Sequence, residues 1–191
     1  MEYRILGKTG IKVSLMSLGS GGARQLGQNS KMSQKNQTTL IHHALDLGIN
    51  LIDTSAQYGN SEAIIGKALA GISRENYFLS TKWYSPNLPD QVESPKLIVE
   101  SIENSLTKLA TSHIDIMMFH GPLHGEYKAI IDWCYPILNR LREQGKIRFI
   151  GLSTRFSLDP EQKVAELALK NNPELFDVIM LKYGILNQHA S

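Results

Sequence analysis

The feature that most constrains the fold of this chain is a regular alternation of short apolar runs with longer amphipathic stretches. The apolar runs predict strands at Met16–Leu18, Ile49–Asp53, Tyr77–Thr81, Ile114–Phe119, Phe149–Leu152 and Val178–Leu181. The amphipathic stretches predict helices at Lys35–Leu47, Ser61–Ala70, Pro95–Leu109, Tyr127–Glu143 and Pro160–Lys170. Strands that alternate with helices of this length indicate βαβ units, so we expect an α/β chain with a parallel sheet.

A different pattern precedes this alternation. The segments Tyr3–Leu6 and Ile11–Leu15 flank the turn Gly7-Lys8-Thr9-Gly10, which predicts an N-terminal β-hairpin. No domain linker follows, so residues 1–191 are predicted to form a single domain. A closed (β/α)8 barrel needs eight strands and typically about 250 residues. We therefore expect an incomplete barrel of about six strands, which is either a C-terminally truncated piece of a longer protein or a short form completed by something else.

Composition bears on partners and location. The formal net charge is +2 and the basic residues are scattered, which argues against nucleic acid or a membrane surface as a partner. The single cysteine, Cys134, excludes an internal disulfide and fits a reducing compartment; its apolar surroundings predict a buried, inert thiol. The first residues do not resemble a secretory signal, so we expect a cytoplasmic location. The sequence leaves the oligomeric state open.

Polar residues that could take part in catalysis lie at or after the ends of three predicted strands. Asp53 ends one strand and Tyr58 lies in the loop after it, whereas Lys82 and His120 come directly after two later strands. The carboxyl ends of parallel strands form one rim, which is where α/β barrels place their active sites. We therefore expect these side chains to converge.

Such a group suits a reaction in which a substrate oxygen receives a proton. A tyrosine is a weak acid at neutral pH because its pKa is about 10, and a neighbouring Lys82 ammonium is expected to lower that pKa. Asp53 is expected to keep Lys82 charged and in place. A neutral His120 is expected to orient the substrate oxygen by a hydrogen bond.

Four stretches resemble one enzyme family, the aldo-keto reductases. Gly48–Glu62 is similar to the family's second-strand signature, and Tyr3–Ser14 to the hairpin that plugs its barrel. Gly145–Ser153 and Phe176–Gln188 resemble the fifth and sixth strands. The chain thus resembles the N-terminal two-thirds of the family, ending after the sixth strand. The resemblance implies a TIM-barrel fold and a catalytic tetrad, whose positions here are Asp53, Tyr58, Lys82 and His120.

The resemblance also implies a function. It implies NADPH-dependent interconversion of a carbonyl and an alcohol, with Tyr58 as proton donor, a small aldehyde, ketone or alcohol as substrate, and NADH as a possible cofactor. The residues it implies for cofactor binding are Ser20, Gly21, Asp53, Ser153, Thr154 and Tyr183. Trp83 and Tyr84 are either walls of a substrate pocket or packing residues. Two positions depart from the family: Thr154 stands where an asparagine is usual, and Met180 where a glutamine is common.

Two other function classes remain open on the sequence. One is a non-catalytic, cofactor-sensing regulatory protein of the same family, and the other is an inactive truncated fragment. No metal site is predicted, because Gly121-Pro122 between His120 and His124 forbids a regular helix. The run Ser20-Gly21-Gly22 is too short for a dinucleotide-binding fingerprint, so a Rossmann domain is not expected.

Overall fold

The computed structural model of the chain describes residues 1–84 and 95–188. Within them, six parallel strands form one sheet whose spatial order follows the chain. The strands are β3 (Leu18–Gly19), β4 (Leu51–Asp53), β5 (Phe78–Trp83), β6 (Ile114–His120), β7 (Ile147–Ser153) and β8 (Val178–Met180), numbered after the hairpin strands β1 (Tyr3–Ile5) and β2 (Lys12–Ser14). The predicted fold class is confirmed: the sheet curls as part of a barrel, with an antiparallel hairpin at its start.

Three strand boundaries differ from the prediction in a way that affects the site. β5 continues to Trp83, so Lys82 lies inside the strand instead of after it. β6 likewise includes His120 as its last residue. The first parallel strand is Leu18–Gly19 and not Met16–Leu18, because it pairs with β4 only at those two residues.

The helices pack on the outer face of the sheet. They are α1 (Gln34–Asp46), α2 (Ser61–Ala68), α3 (Pro95–Leu109), α4 (Tyr127–Ala129), α5 (Tyr135–Glu143) and α6 (Lys163–Asn171). The predicted helix at Tyr127–Glu143 is interrupted by a π-helical segment, Ile130–Cys134. Pro136 follows it and has no amide hydrogen to donate to the preceding turn, which accounts for the change in geometry. Cys134 is buried there, as predicted.

The last predicted helix starts later than its periodicity suggests. It begins at Lys163 instead of Pro160, because the Asp159 carboxylate accepts hydrogen bonds from the backbone N–H groups of Lys163 and Val164, at 2.9 and 3.1 Å. These two groups are among the donors at a helix start that have no partner within the helix. The segment before Lys163 therefore forms a turn at the rim of the sheet.

The two faces of the sheet have different partners. Because side chains alternate along a strand, Met117 and Phe119 of β6 face the helices, whereas Ile116 and Met118 face the concave side. The hairpin residues Ile11 and Val13 pack on Ile116 and Met118. The hairpin thus fills the lower part of the concave face with apolar side chains and leaves the upper part to polar ones.

A buried carboxylate ties the lower ends of three strands together. Asp115, near the start of β6, is fully buried. It accepts hydrogen bonds from Arg74 Nη2 at 2.5 Å, from the Leu79 N–H of β5 at 2.9 Å and from Arg148 Nη1 of β7 at 2.7 Å. A buried carboxylate is tolerated when it is paired and hydrogen-bonded in this way.

No helix within residues 1–84 and 95–188 has the length and apolar character needed to cross a membrane.

Candidate active site

The strand register brings polar side chains to the upper end of the concave face. Lys82 is two residues beyond Ser80 on β5, and His120 is two residues beyond Met118 on β6, so both point to the concave side. Asp53 is paired in register with Ser80, and His120 with Ser153. The alternation that places Ile116 and Met118 against the plug therefore places His120 above it.

Asp53 and Lys82 form an ion pair at this rim. Lys82 Nζ donates to Asp53 Oδ2 at 2.5 Å and to the Thr54 carbonyl at 2.8 Å. The other carboxylate oxygen of Asp53 accepts from Ser80 Oγ at 2.9 Å. The lysine is buried and the aspartate is only slightly exposed. Both charges are thus held in fixed positions by at least two hydrogen bonds each.

The ring of Tyr58 lies between this pair and His120. Lys82 Nζ is 5.3 Å from the centroid of the Tyr58 ring, and the Tyr58 hydroxyl is 3.4 Å from His120 Nε2. Gly21 lies directly against the ring, since a Cβ at that position would come within 2.8 Å of Tyr58 Cε2 and Cζ. Glycine at position 21 is therefore a steric requirement for the observed place of the ring.

The loop that carries Tyr58 is fastened by Gln28, a residue that the sequence did not single out. Gln28 Nε2 donates to the Tyr58 carbonyl at 3.1 Å and to Ser61 Oγ at 2.9 Å, while Gln28 Oε1 accepts from the Asn60 N–H at 2.8 Å. Nothing in the sequence marks this contact, because Gln28 and the loop are separated by about 30 residues.

The imidazole of His120 is oriented by a second missed residue, Ser55. Ser55 Oγ lies 3.0 Å from His120 Nδ1 and also accepts a hydrogen bond from the Gln57 N–H at 3.1 Å. With that N–H on one lone pair, the serine hydroxyl is favourably placed to donate to Nδ1. This arrangement favours the tautomer whose proton is on Nε2, which faces the Tyr58 hydroxyl. The signal was available, because Ser55 lies within the Asp53–Tyr58 segment.

Burial controls the protonation of the group. Burial, with the Lys82 and Arg155 cations, lowers the pKa of His120 to about 4, so its imidazole is neutral at pH 7, as expected. Burial also lowers the pKa of Lys82, against the opposing effect of Asp53. The expectation that Lys82 lowers the pKa of Tyr58 is wrong: burial and then Asp53 raise it. The ammonium is engaged by Asp53 and Thr54 and lies over the ring, so it gives the phenolate little stabilisation.

The two aromatic residues after Lys82 have different environments. Trp83 is 3% exposed and packs edge-to-face on Phe119 in the helix-facing core, with ring centroids 6.0 Å apart. The pocket interpretation of Trp83 is therefore wrong, because the residue after an inward-facing Lys82 must point outward. Tyr84 is partly exposed, and the Arg155 guanidinium lies over its ring, 5.0 Å from the centroid. Tyr84 alone of the pair remains available to a pocket.

The residues expected to bind a cofactor form two groups. Ser153 Oγ donates to the Phe119 carbonyl at 3.1 Å, and Thr154 Oγ1 donates to Gln162 Oε1 at 3.0 Å, so both hydroxyl protons already have partners within the protein. Ser20 Oγ is buried and has no hydrogen-bond partner within the described residues. Tyr183, just beyond β8, is 60% exposed. Tyr183 therefore presents an open aromatic face, whereas the Ser20 hydroxyl is enclosed by protein.

Gln162 is a third residue that the sequence did not indicate. Its side chain accepts from Thr154 and from the Lys182 N–H at 2.8 Å, and donates to the Lys182 carbonyl at 2.9 Å. Its backbone has φ of +55°, which is uncommon for a residue other than glycine. Gln162 thereby joins the loop after β7 to the end of β8. Met180 is the last residue of β8 and is partly exposed.

No group of three or more His, Cys, Asp or Glu side chains able to hold a metal ion occurs in the part of the chain that the structure describes.

Comparison with known proteins identifies the family. The pattern of the Aldo/keto reductase family matches residues 17–190, and the chain belongs to that family. It is 37% identical over 169 residues to the aldo-keto reductase YhdN of Bacillus subtilis, covering 83% of this chain and 48% of that protein. It is 33% identical over 201 residues to a protein of Escherichia coli named NADH-specific methylglyoxal reductase, covering 96% of this chain and 59% of the relative.

A solved structure supports the same conclusion. A crystal structure of a Pseudomonas aeruginosa protein described as an aldo-keto reductase superposes with a TM-score of 0.76 at 30% identity, covering 98% of this chain and 70% of that one. The predicted resemblance is thereby confirmed. The chain spans about half the length of the curated relatives that it matches.

Proposed function

We propose that this chain carries the catalytic part of a nicotinamide-dependent oxidoreductase that interconverts an aldehyde or ketone with an alcohol. The observation that carries the proposal is the convergence of the Tyr58 hydroxyl and His120 Nε2, 3.4 Å apart, beside the Lys82–Asp53 ion pair. A carbonyl oxygen placed between these two groups receives hydrogen bonds from both, at the atom where negative charge develops. Membership of the aldo/keto reductase family supports the same reaction class.

Each residue has a role in this mechanism. Tyr58 donates its proton to the carbonyl oxygen, and its raised pKa keeps that proton on the hydroxyl at neutral pH. His120 donates from Nε2 and orients the carbonyl. Lys82 and Asp53 fix the floor of the site, and Ser55 fixes the imidazole.

A bound nicotinamide cofactor supplies the hydride. We propose Ser20, Gly21, Asp53 and Tyr183 as its contacts, with Ser153 and Thr154 taking part only if their internal hydrogen bonds are exchanged. NADPH is the proposed cofactor. NADH is the competing choice, because one relative is named as NADH-specific. We further propose a cytoplasmic location and a small-molecule substrate.

The test is a Tyr58→Phe substitution, assayed with NADPH or NADH and small aldehydes. General acid catalysis typically contributes about 10²–10⁴-fold, so kcat is expected to fall at least about 10²-fold. Cofactor affinity, measured by quenching of its fluorescence, is expected to change by less than about twofold. Tyr135→Phe is the matched control, because it removes a hydroxyl bonded to the Leu175 carbonyl in the helix layer.

The same assays separate the other two function classes. Cofactor binding by the unaltered protein without turnover of any carbonyl favours the regulatory protein. If the protein shows no cofactor binding and no turnover, the inactive fragment is favoured. If Tyr58→Phe retains more than about a tenth of the activity, the proton donor is a different residue.

A further inference from the structure

Arg155 lies beside the candidate active site without having been assigned any role in it. It follows Ser153, the last residue of β7, so it lies at the same rim as Lys82 and His120. Its guanidinium is stacked over Tyr84, 5.0 Å from the ring centroid. A Cβ on Gly121 would meet Arg155 Cβ at 2.9 Å and Nε at 3.3 Å, so the arginine packs against the backbone next to His120.

The glycine at position 121 makes this approach feasible. Gly121 has φ of +59°, a conformation that other residues rarely adopt, and it has no side chain to keep Arg155 away. The Gly121 N–H is also fixed, since it donates to Ser153 Oγ at 3.0 Å. Arg155 is therefore held between the His120–Gly121 backbone and the Tyr84 ring, and its position is built into the rim.

Among the residues that the structure describes, no carboxylate neutralises the charge of Arg155, whereas three other arginines each pair with an aspartate. Arg74, Arg142 and Arg148 each approach an aspartate within 4.0 Å. Within residues 1–84 and 95–188, no carboxylate lies within that distance of Arg155. The Lys82 charge, by contrast, is paired with Asp53. Arg155 also contributes to the lowered pKa of His120, which places its positive charge close to the imidazole.

The stacking on Tyr84 has a consequence for binding. A cation stacked on an aromatic ring uses the face of the guanidinium, whereas its N–H donors point outward in the plane. Those donors match the two oxygens of a carboxylate, which an arginine binds in a bidentate manner. Phosphate oxygens fit the same donors, and the effect of Arg155 variants on the KM for the cofactor distinguishes the two anions.

We propose that Arg155 binds a carboxylate of the substrate, so that the site prefers carbonyl compounds that also carry a carboxylate, the oxo acids and aldehyde acids. The inference rests on the proposed function for the carbonyl itself and adds the class of substrate. Arg155 fixes the charged end of the molecule, while Tyr58 and His120 receive its carbonyl oxygen. A neutral carbonyl compound lacks the first of these two contacts.

The test compares 4-carboxybenzaldehyde with its methyl ester, which differ in charge but share the reacting aldehyde. A hydrogen-bonded charge pair of this kind corresponds to about 10- to 100-fold in affinity. Arg155→Met is expected to raise KM for the acid by about that factor, with kcat/KM for the ester changed less than about twofold. Arg155→Lys, which keeps the charge but loses the planar fork, is expected to restore part of the preference.

Lys182→Met is the matched control for the general positive field of the rim. The Lys182 ammonium lies 3.7 Å from the centroid of the Phe156 ring. Phe156 directly follows Arg155 in the sequence, so Lys182 is a second cation in the same region. This variant is expected to change both substrates equally. Equal loss for acid and ester in Arg155→Met overturns the inference, as does a raised KM for the cofactor, which would make Arg155 a cofactor contact.

Direct binding separates failure of the inference from failure of the proposed function. Calorimetry with 4-(hydroxymethyl)benzoate and its methyl ester measures the carboxylate preference without turnover. Preference for the acid, lost in Arg155→Met, supports the inference even if no carbonyl is reduced. If carbonyls are reduced but the unaltered protein binds acid and ester equally, the carboxylate site does not exist and the proposed function stands.

Discussion

The low pKa of His120 predicts a specific dependence of stability on pH, which a His120→Asn substitution removes. The pKa is about 4 in the folded protein and about 6.5 in the unfolded chain. Between these values the unfolded chain binds a proton that the folded protein does not. Stability linked to His120 is therefore fully present above about pH 6.5 and is lost as the pH falls towards 4.

The size of the effect follows from the two pKa values. At about 1.4 kcal/mol for each pH unit, the linked free energy is at most about 3 kcal/mol. His120 is only partly buried, so solvent screening reduces the expected value to about 2 kcal/mol. Within the described residues, the groups that face its ring are Lys82, Arg155, Ser55 and Tyr58, and none of them carries a negative charge that would stabilise the imidazolium.

Urea unfolding at pH 7 and pH 4.5, at constant ionic strength, measures this difference. Wild type is expected to lose about 2 kcal/mol more stability on acidification than His120→Asn, since carboxylates elsewhere titrate in both proteins. His124→Asn, which removes an exposed imidazole from the following loop, is the control. Equal pH dependence in wild type and His120→Asn would refute the argument that burial and two nearby cations keep this imidazole neutral.

Two further predictions concern positions next to the tetrad. Gly21→Ala places a Cβ within 2.8 Å of the Tyr58 ring, so we expect about a 10²-fold loss of kcat/KM in steady-state assays; Gly19→Ala, which meets nothing within 4 Å, is expected to retain activity. Trp83→Ala removes a buried core side chain and is expected to lower the free energy of unfolding by about 3–5 kcal/mol in urea, with the ranking of carbonyl substrates unchanged. A changed ranking of carbonyl substrates with unchanged stability would mean that Trp83 lines the substrate pocket after all.

Much of the architecture could be predicted because it depends on local pattern. Pro95–Leu109 was predicted with the observed bounds, since apolar spacing and the proline at its start define it. A pocket role for Trp83 was suggested by its place next to Lys82 in the sequence. Alternation along a strand was enough to place the two residues on opposite faces. The π-helical segment at Ile130–Cys134 was not predictable from periodicity, which hardly distinguishes it from an α-helix over five residues.

The candidate site was predictable where residues sit at strand ends and not where they act across the fold. Asp53, Lys82 and His120 share a rim because a parallel sheet brings strand ends together. Gln28 contacts the Tyr58 loop, and Arg155 contacts the Gly121 backbone. Both residues lie in loops whose paths cannot be predicted from a short sequence pattern. The direction of the Tyr58 pKa shift was not predictable for a related reason, because the sequence does not reveal how Lys82 divides its hydrogen bonds.

The buried Asp115 has a consequence for the alignment of the opposite end of the sheet. By binding groups from β5 and β7 as well as Arg74, it fixes how far each strand is shifted relative to its neighbours. A slip of one residue would move a strand by about 3.3 Å and would turn every side chain to the other face. A slip of β6 would turn His120 towards the helices, and Lys82 would no longer be in register with its partner residue on β6. A carboxylate at the far end of these strands thus determines how precisely the reacting side chains are positioned relative to one another.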